Sequence, residues 1–210
     1  MGISERRERD VQEMRDNIIK AAFDIILNEG PEQVSIRKIA ARIEYSPTSV
    51  YNYFRDRDAI LLEIARISFR NFDEFIETST RSINGNMWER LLGAARLYIE
   101  FALTQTHYYE VMFLIKFPPQ KIEGVYGDPA EFLGRKSYMN LRELISGCIN
   151  EGFLPAATDP DLCTLAVWGN LHGLVSLHIR DRFIMVPGNS NAEFLSRAFE
   201  SWIQCINQHS

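Results

Sequence analysis

One short polar segment combines side chains that can hydrogen-bond to nucleic-acid bases and phosphates. Thr48, Ser49 and Asn52 carry small hydroxyl and amide groups, which suit the base edges exposed in the major groove of duplex DNA. Tyr51 and Tyr53 lie two residues apart, so their hydroxyls point to different sides, where either can reach a backbone phosphate. The segment is therefore a candidate DNA-binding surface.

Charge supports this placement only locally. The whole chain has a formal net charge of −5, which by itself does not favour a nucleic-acid partner. Residues 35–57, however, contain five basic and two acidic side chains. Arg37 and Arg57 stand at the predicted starts of the two flanking helices, where a guanidinium can bind phosphate. A small basic patch on an acidic body is sufficient for local docking to DNA.

The elements around this segment follow from apolar spacing and from capping residues. Apolar side chains recur every three or four residues from about Asp10 to Asn28, which predicts a first helix. Gly30 and Pro31 end it. Ser35 is the predicted N-cap of a short second helix that runs to about residue 43.

A tight turn then leads into the third helix. Ser46 is its predicted N-cap, and Pro47 occupies the first helical position, where a missing N–H costs nothing. This helix runs to about Tyr53, and Asp56 caps a longer fourth helix behind it. Two short helices joined by a tight turn and braced by a longer one form a helix-turn-helix. The alternative is a plain helical bundle with a polar corner.

The same stretch resembles the DNA-binding signature of the tetracycline-repressor (TetR) family. That pattern has a Ser or Thr cap, Ile-Ala, a turn, Tyr-x-His/Tyr-Phe and a polar-basic-acidic trio before a leucine. The matching residues are Ser35, Ile39, Ala40, Ser46, Tyr51, Tyr53, Phe54, Asp56, Arg57, Asp58 and Leu61, and Ile18, Ala21, Ala22, Ile26 and Gly30 fit the first helix of the family. The resemblance covers residues 10–65 in the correct order.

The resemblance implies a set of residues that contact DNA. They are Arg37, Thr48, Tyr51, Tyr53 and Arg57, with Pro47 and Ser49 near the bases. Asn52, which suits base edges, and Ser35, the cap of the second helix, complete the predicted DNA-binding set. Two positions depart from the family pattern. Arg57 replaces the commoner lysine, and Glu44 stands where the turn usually has glycine. A non-glycine residue in left-handed geometry costs about 1 kcal/mol, so the turn is expected to differ in detail.

Beyond this head the chain is predicted to be helical throughout, which makes the fold class all-α with about nine helices. The expected domains are a helix-turn-helix head at 1–56, a connecting helix at 57–81 and a ligand-binding and dimerisation domain at 82–210. The predicted helices of that last domain are Trp88–Leu103, His107–Phe117, Pro129–Glu151, Pro160–Arg182 and Asn191–Asn207.

Small residues recur on one face of the helix that follows Pro160. Ala166, Gly169, Gly173 and Ser176 are spaced by three or four residues, so a second helix can approach closely. The last helix adds a broad apolar stripe that includes Phe199 and Trp202. These six residues are the predicted dimer interface, a four-helix arrangement in which two heads are held about one DNA turn apart. The alternative is that one subunit buries both helices internally.

Aromatic side chains crowd the middle helices. An aromatic set at helical spacing is usually core, but binding pockets are also mostly apolar with few polar groups. The segment from Trp168 to His172 and Gly173 also resembles the Trp-x-x-x-His-Gly signature of one C-terminal class of the family, and His172 is either a packed histidine or a pocket group. The candidate ligand-binding residues are Phe101, Tyr109, Met112, Phe113, Tyr138, Trp168 and His172, with residues 118–128 as a flexible mouth.

Other classes of function find little support. The sequence has no nucleophile elbow, phosphate-binding loop or dinucleotide motif, so no enzyme and no cofactor are expected. The histidines and three cysteines lack metal-ligand spacing, and buried free thiols are expected. No membrane span and no secretory signal are recognised, which predicts a cytoplasmic protein. The expected partners are double-stranded operator DNA, a small hydrophobic or amphipathic effector and a second copy. A DNA-binding architectural or division-control protein without an effector, or an activator instead of a repressor, remains open.

Overall fold

The computed structural model confirms the all-α fold. It describes residues 3–80, 82–113, 115–116, 122–123, 127, 134–186 and 191–208, and nine α-helices lie within them. They are α1 (Ile3–Glu29), α2 (Ile36–Arg42), α3 (Pro47–Tyr51), α4 (Arg57–Thr80), α5 (Met87–Thr104), α6 (Thr106–Phe113), α7 (Arg135–Asn150), α8 (Pro160–Ile179) and α9 (Ala192–Gln208). Two short 3-10 turns, Pro31–Gln33 and Arg182–Met185, join them. The predicted mouth at 118–128 lies almost wholly outside the described residues.

The chain forms two compact units. The first comprises residues 1–69 and 107–129, and the second comprises residues 70–106 and 130–210. Helix α4 therefore begins in the first unit and ends in the second, while α6 belongs to the first. The predicted boundaries after residues 56 and 81 were drawn at helix ends, whereas these units divide within the long helix.

The first unit is built on the apolar face of α1. Ile18, Ala22, Ile25 and Ile26 are at most 1% exposed, which agrees with the predicted stripe. The helix begins at Ile3, seven residues before the predicted start at Asp10. The added residues are largely exposed, so no apolar periodicity announced them. They contain no glycine or proline that would stop a helix.

In the second unit, α5 is the central helix and packs against α7, α8 and α9. It starts with a capping box, in which the Asn86 side chain accepts from the Glu89 backbone N–H at 2.9 Å and Glu89 accepts from the Asn86 N–H at 3.0 Å. A reciprocal pair of this kind satisfies two otherwise unpaired donors. Arg96 on α5 also forms an ion pair with Glu200 on α9 at 2.6 Å.

Helix α8 is unusually apolar for its exposure. By length and composition alone it could cross a membrane, and only 22% of its apolar segment is buried within the described part of the chain. Sequence inspection missed this because Asp161, Asn170 and His172 interrupt the apolar run. The cysteines are free, as expected, but Cys205 is exposed, so the prediction of buried thiols was wrong there.

Candidate nucleic-acid interface

Helix α3 is fixed by its N-cap and by the burial of its inner face. The Ser46 side chain accepts a hydrogen bond from the Ser49 backbone N–H at 3.1 Å, and Pro47 follows in the first turn. Both features are as predicted. Val50 is fully buried and Phe54 is 4% exposed, so the inner face is anchored in the apolar core. A short helix with one anchored face presents its other face in a fixed orientation.

Five predicted contact residues divide between that outer face and the turn. Pro47, Thr48 and Asn52 are exposed, and Tyr51 is 55% exposed. Ser49 is half-buried, and its hydroxyl lies 2.9 Å from that of Ser46. The cap therefore engages Ser49, while the other four side chains face outward.

The two neighbouring helices are capped as the sequence predicts. The Ser35 side chain accepts from the Lys38 backbone N–H at 3.2 Å at the start of α2. Asp56 accepts from the Ala59 backbone N–H at 2.8 Å at the start of α4. Each cap satisfies one donor that a helix start leaves unpaired. The Ser35 side chain thus has a structural role beside its expected place near DNA.

Sequence inspection missed Arg15, which supports the far end of α3. Its guanidinium donates to the Tyr53 carbonyl at 2.8 Å and lies 4.2 Å from the centre of the Phe54 ring. Hydrogen bonds from charged donors are stronger than neutral ones, and an arginine over an aromatic face adds a cation–π contact. The only sequence signal was a basic residue among the core-facing positions of α1.

Arg57 is also engaged within the head. Its Nε donates to the Val34 carbonyl at 2.8 Å and an Nη to the Pro31 carbonyl at 2.9 Å. The side chain thereby ties the start of α4 to the turn before α2. Asp58 lies 3.6 Å from the same guanidinium. This bracing engages two of the five N–H donors of a side chain that was predicted to bind a phosphate.

The remaining basic residues of α2 differ in their surroundings. Lys38 pairs with Glu29 at 2.7 Å, and Arg42 lies 3.4 Å from the same carboxylate. The hydrogen bond from Lys38 lowers the pKa of Glu29. Arg37 is exposed, and it forms no ion pair or hydrogen bond with any residue that the structure describes. Arg37 is therefore the cation of α2 best placed to meet an external anion.

The turn between α2 and α3 keeps left-handed geometry at Glu44, which has a φ of 60°. The left-handed strain that the sequence predicted at Glu44 is therefore present, and a difference of the turn in detail stays a prediction. The Tyr45 N–H donates to the Ala40 carbonyl at 2.9 Å, which closes the turn around the strained residue. The position keeps the conformation that glycine adopts most easily.

Replacing Glu44 with glycine should therefore raise the stability of the protein. Removing the left-handed strain of about 1 kcal/mol is offset in part by the greater freedom of glycine in the unfolded chain. We expect a net gain of about 0.5 kcal/mol by chemical denaturation. The matched control is Glu143→Gly in the middle of α7, which should lose about 1 kcal/mol. A loss of stability in both variants would contradict the strain at Glu44.

Family models match both parts of the chain. Residues 18–64 match the model described as bacterial regulatory proteins of the tetR family. Residues 91–201, about half of the chain, match the model described as a tetracyclin repressor-like C-terminal domain. The chain belongs to the TetR family. The family predicted from residues 10–65 is thereby confirmed, and it is a family of helix-turn-helix transcriptional regulators.

A curated relative agrees with this assignment. The uncharacterized HTH-type transcriptional regulator YobS of Bacillus subtilis (strain 168) is 30% identical over 98 residues, which are 46% of this chain and 50% of that protein. The chain thus spans about half the length of the curated relative that it matches.

Several solved structures share the TetR fold of this chain. A protein of unknown function from Rhodococcus sp. RHA1 has a TM-score of 0.70 at 19% identity, covering 90% of this chain and 93% of that one. The fatty acid degradation regulator FadR of Bacillus halodurans has a TM-score of 0.65 at 17% identity, and the match covers 92% of this chain and 94% of that one. A putative transcriptional regulator from Saccharomonospora viridis in complex with choline has a TM-score of 0.70 at 16% identity, and the match covers 92% of this chain and 96% of that one. These likenesses show the fold alone.

The predicted ligand-binding residues of this TetR protein fall into both units. Tyr109, Met112 and Phe113 belong to the first unit. Tyr109 is fully buried and Met112 is 4% exposed. The ring of Phe113 lies 5.0 Å from that of Tyr109 and 5.5 Å from that of Phe69. These side chains form part of the core of that unit.

Phe101, Tyr138, Trp168 and His172 belong to the second unit. Phe101 is 4% exposed and contacts the rings of Phe72 and Phe75. The Tyr138 hydroxyl donates to Asp161 at 2.8 Å, a surface contact that ties α7 to α8. Trp168 and His172 are half-buried.

Two groups of polar contacts lie beside the aromatic core of the second unit. The Tyr98 hydroxyl lies 3.4 Å from His172 Nδ1, and Ser176 lies 3.4 Å from Nε2 of the same ring. Burial lowers the pKa of His172. Asp73 on α4 accepts a hydrogen bond from Ser137, and burial raises the pKa of its carboxyl. A charged residue between Phe72 and Phe75 was the signal for Asp73, and sequence analysis overlooked it.

The small-residue face of α8 is open within the subunit. A Cβ added at Gly169 or Gly173 would meet no atom within 4 Å. Leu162, Leu165 and Leu177 are 67%, 52% and 45% exposed. Ala166 is exposed and Ser176 half-buried along the same helix. The alternative that one subunit buries this face internally is therefore wrong.

On α9 the outward face differs from the predicted one. Phe199 is 1% exposed, so its side chain belongs to the core of its own subunit, and its assignment to a dimer interface was wrong. Trp202 is half-buried, and its ring lies 5.8 Å from that of Phe199. A surface groove of about 400 Å³ runs along the other side of the helix. It is lined by Phe194, Arg197, Ala198, Glu200, Ser201 and Gln204.

Proposed function

We propose that the protein is a homodimeric transcriptional repressor that binds a palindromic operator and is released by a small amphipathic effector. The observation that carries the proposal is the anchored α3 helix, whose outer face presents Thr48, Tyr51 and Asn52 on a capped helix-turn-helix. Family membership supports DNA binding as the activity. The absence of nucleophile, phosphate-loop and dinucleotide motifs supports a regulator without enzymatic activity.

The contacts divide into two groups by the surroundings of each side chain. Thr48 and Asn52, with Pro47 beside them, face the base edges. Tyr51, Tyr53 and Arg37 bind phosphates and fix the position of the head on the duplex. The other predicted residues take part in the caps and braces that hold the helices of the head. They are Ser35, Ser49 and Arg57.

A second copy of the chain covers the open face of α8. Its exposed leucines and its two glycines without neighbours suit close helix packing. The groove along α9, lined by Phe194, Ala198 and Ser201 among others, offers a second surface for the same partner. A symmetric pair spaces two heads for a two-fold operator. The same apolar face would otherwise remain in water, which is unfavourable.

The effector binds in the second unit, beside the aromatic cluster around Phe101. Tyr98, His172 and Asp73 supply polar groups next to apolar walls, the combination that binding sites use. The choline complex of the regulator from Saccharomonospora viridis supports a small amphipathic ligand in a body of this fold. Helix α4 begins in the head and ends in the second unit, so a shift of its far end reaches the DNA-binding unit. The effector releases DNA only if it favours one conformation over the other.

Replacing Arg37 with alanine should weaken binding to the DNA upstream of the gene and reduce its salt dependence. Loss of one phosphate contact lowers the slope of log K against log salt by about 1. The measurement is fluorescence anisotropy with labelled duplex at several salt concentrations. Tyr51→Ala should weaken binding in the same assay.

The matched control is Arg180→Ala, which removes an exposed arginine from the second unit and should leave both the affinity and the slope unchanged. An unaltered slope in the Arg37 variant would exclude this residue from the interface. Failure of the unmodified protein to bind any fragment of that upstream region at low salt would refute the proposed function. A ligand screen by thermal shift then tests the effector, and DNA binding that no ligand alters would favour an effector-independent protein.

A further inference from the structure

The outer face of α3 carries no cation. The sequence contains no lysine or arginine between Arg42 and Arg55, a stretch that includes the whole of α3 and the turns on both sides. In the major groove, guanine is read chiefly by arginine or lysine, which donate to O6 and N7. Adenine is read by asparagine or glutamine, and the thymine methyl group is read by apolar contact with groups such as the threonine methyl.

Thr48 and Asn52 are the two side chains on this face that suit base edges. Asn52 directly follows the last residue of α3 and keeps right-handed helical backbone, with φ −67° and ψ −19°. The two residues lie four apart, so they share one face, and both are exposed. No hydrogen bond within the described part of the chain takes up the Thr48 hydroxyl or the Asn52 amide. Ser49, between them, is committed to Ser46 at 2.9 Å. Both groups are therefore available to an external partner.

The spacing of these two groups matches the spacing of base pairs. Four residues of helix rise by about 6 Å, and successive base pairs are about 3.4 Å apart. The two side chains are accordingly expected to meet base pairs that are one or two steps apart. Arg37 stands on α2 instead, where it is proposed to bind a phosphate rather than a base.

We propose that the half-site beneath α3 is made of A·T pairs, with adenine read by the Asn52 amide and thymine by the Thr48 methyl group. This inference rests on the proposed function, because it names the class of DNA sequence that the same surface recognises. In the bound state the amide N–H donates to adenine N7 and the amide carbonyl accepts from adenine N6. The threonine methyl lies against the 5-methyl group of thymine.

The test is selection of duplexes from a randomised pool by the full-length protein, followed by sequencing. The selected half-sites should contain A·T pairs at two positions one or two steps apart. Asn52→Ala should reduce the preference for adenine at one of them by about tenfold. Thr48→Ser keeps the hydroxyl but removes the methyl group, and it should reduce the thymine preference several-fold at the other position. Asn28→Ala, which removes an exposed amide from α1, is the matched control and should leave the selected sequence unchanged.

Modified bases give an independent measurement on the selected site. Replacing the adenine with 7-deazaadenine removes N7, and replacing the thymine with deoxyuridine removes the methyl group. The first change should weaken binding by the unmodified protein but not by the Asn52 variant. The second should weaken binding by the unmodified protein but not by the Thr48 variant. Equal losses in protein and variant would overturn the assignments.

The outcomes separate this inference from the proposed function. G·C pairs at the positions sensitive to residues 48 and 52 would overturn the inference and leave DNA binding intact. An unchanged selected sequence in the Asn52 variant would do the same. If no duplex is enriched at all, both the inference and the proposed function fail.

Discussion

Replacing Gly173 with leucine should convert the proposed dimer into monomers while each subunit stays folded. The glycine lies on the exposed side of α8, where an added Cβ meets no atom of its own subunit within 4 Å. The leucine is therefore tolerated in the monomer, and it clashes only with a helix that packs closely against this face. Because overpacking costs about 1–3 kcal/mol and a two-fold interface contains the change twice, dimerisation should weaken by about 3 kcal/mol, or more than about 100-fold.

The measurement is the mass in solution by light scattering, with circular dichroism to show that the helices remain. Glu143→Leu adds the same side chain to an exposed position of α7 and serves as the control, since it should stay dimeric. The Gly173 variant should also lose affinity for operator DNA, because two linked heads bind a two-fold site far better than one. An intact dimer in this variant would remove α8 from the interface.

Caps and apolar periodicity were readable in the sequence because they depend on neighbours a few residues away. Ser35, Ser46 and Asp56 each cap the helix that follows, as predicted. The buried stripe of α1 follows from the spacing of its apolar residues. Such local chemistry makes the helix-turn-helix recognisable before any tertiary structure is known.

The partners of long polar side chains were not readable in this way. Arg57 donates to carbonyls 23 and 26 residues earlier, and Arg15 donates to a carbonyl 38 residues later. Contacts at such separations depend on how the helices pack, which no local pattern encodes. The sequence therefore suggested a phosphate contact for Arg57 and no role for Arg15.

The inward and outward sides of a broad apolar stripe were equally hidden in the sequence. Phe199 and Ala198 both belong to the apolar stripe of α9, yet Phe199 faces the core while Ala198 lines the outer groove. On α8 the small residues marked the exposed face correctly, since glycines without neighbours are the feature that packing against a second helix requires. Hydrophobic spacing alone does not separate a face that packs within the subunit from one that packs between subunits.

Arg57→Ala should lower the stability of the head, by about 2 kcal/mol. The change leaves the carbonyls of Pro31 and Val34 without the guanidinium donors that they accept from at 2.9 and 2.8 Å. A hydrogen bond to a charged group contributes about 1.5–3 kcal/mol, and the partial exposure of this side chain reduces that contribution. DNA binding should weaken as well, because the brace holds the start of α4 against the turn before α2. Arg57→Lys should restore neither hydrogen bond in its original geometry, since an ammonium group lacks the planar fork of donors.

Comparison with Arg37 distinguishes the two roles considered for Arg57, a structural brace and a phosphate ligand. Arg37 is exposed and has no partner in the described part of the chain, so Arg37→Ala should leave the unfolding midpoint unchanged and lower the salt slope of DNA binding. Arg57→Ala should do the opposite, lowering the midpoint while the folded fraction keeps the slope of the unmodified protein. The measurements are denaturant unfolding and anisotropy across a salt series on the same samples. An Arg57 variant with normal stability and a slope reduced by about 1 would show that its guanidinium leaves the two carbonyls to bind DNA.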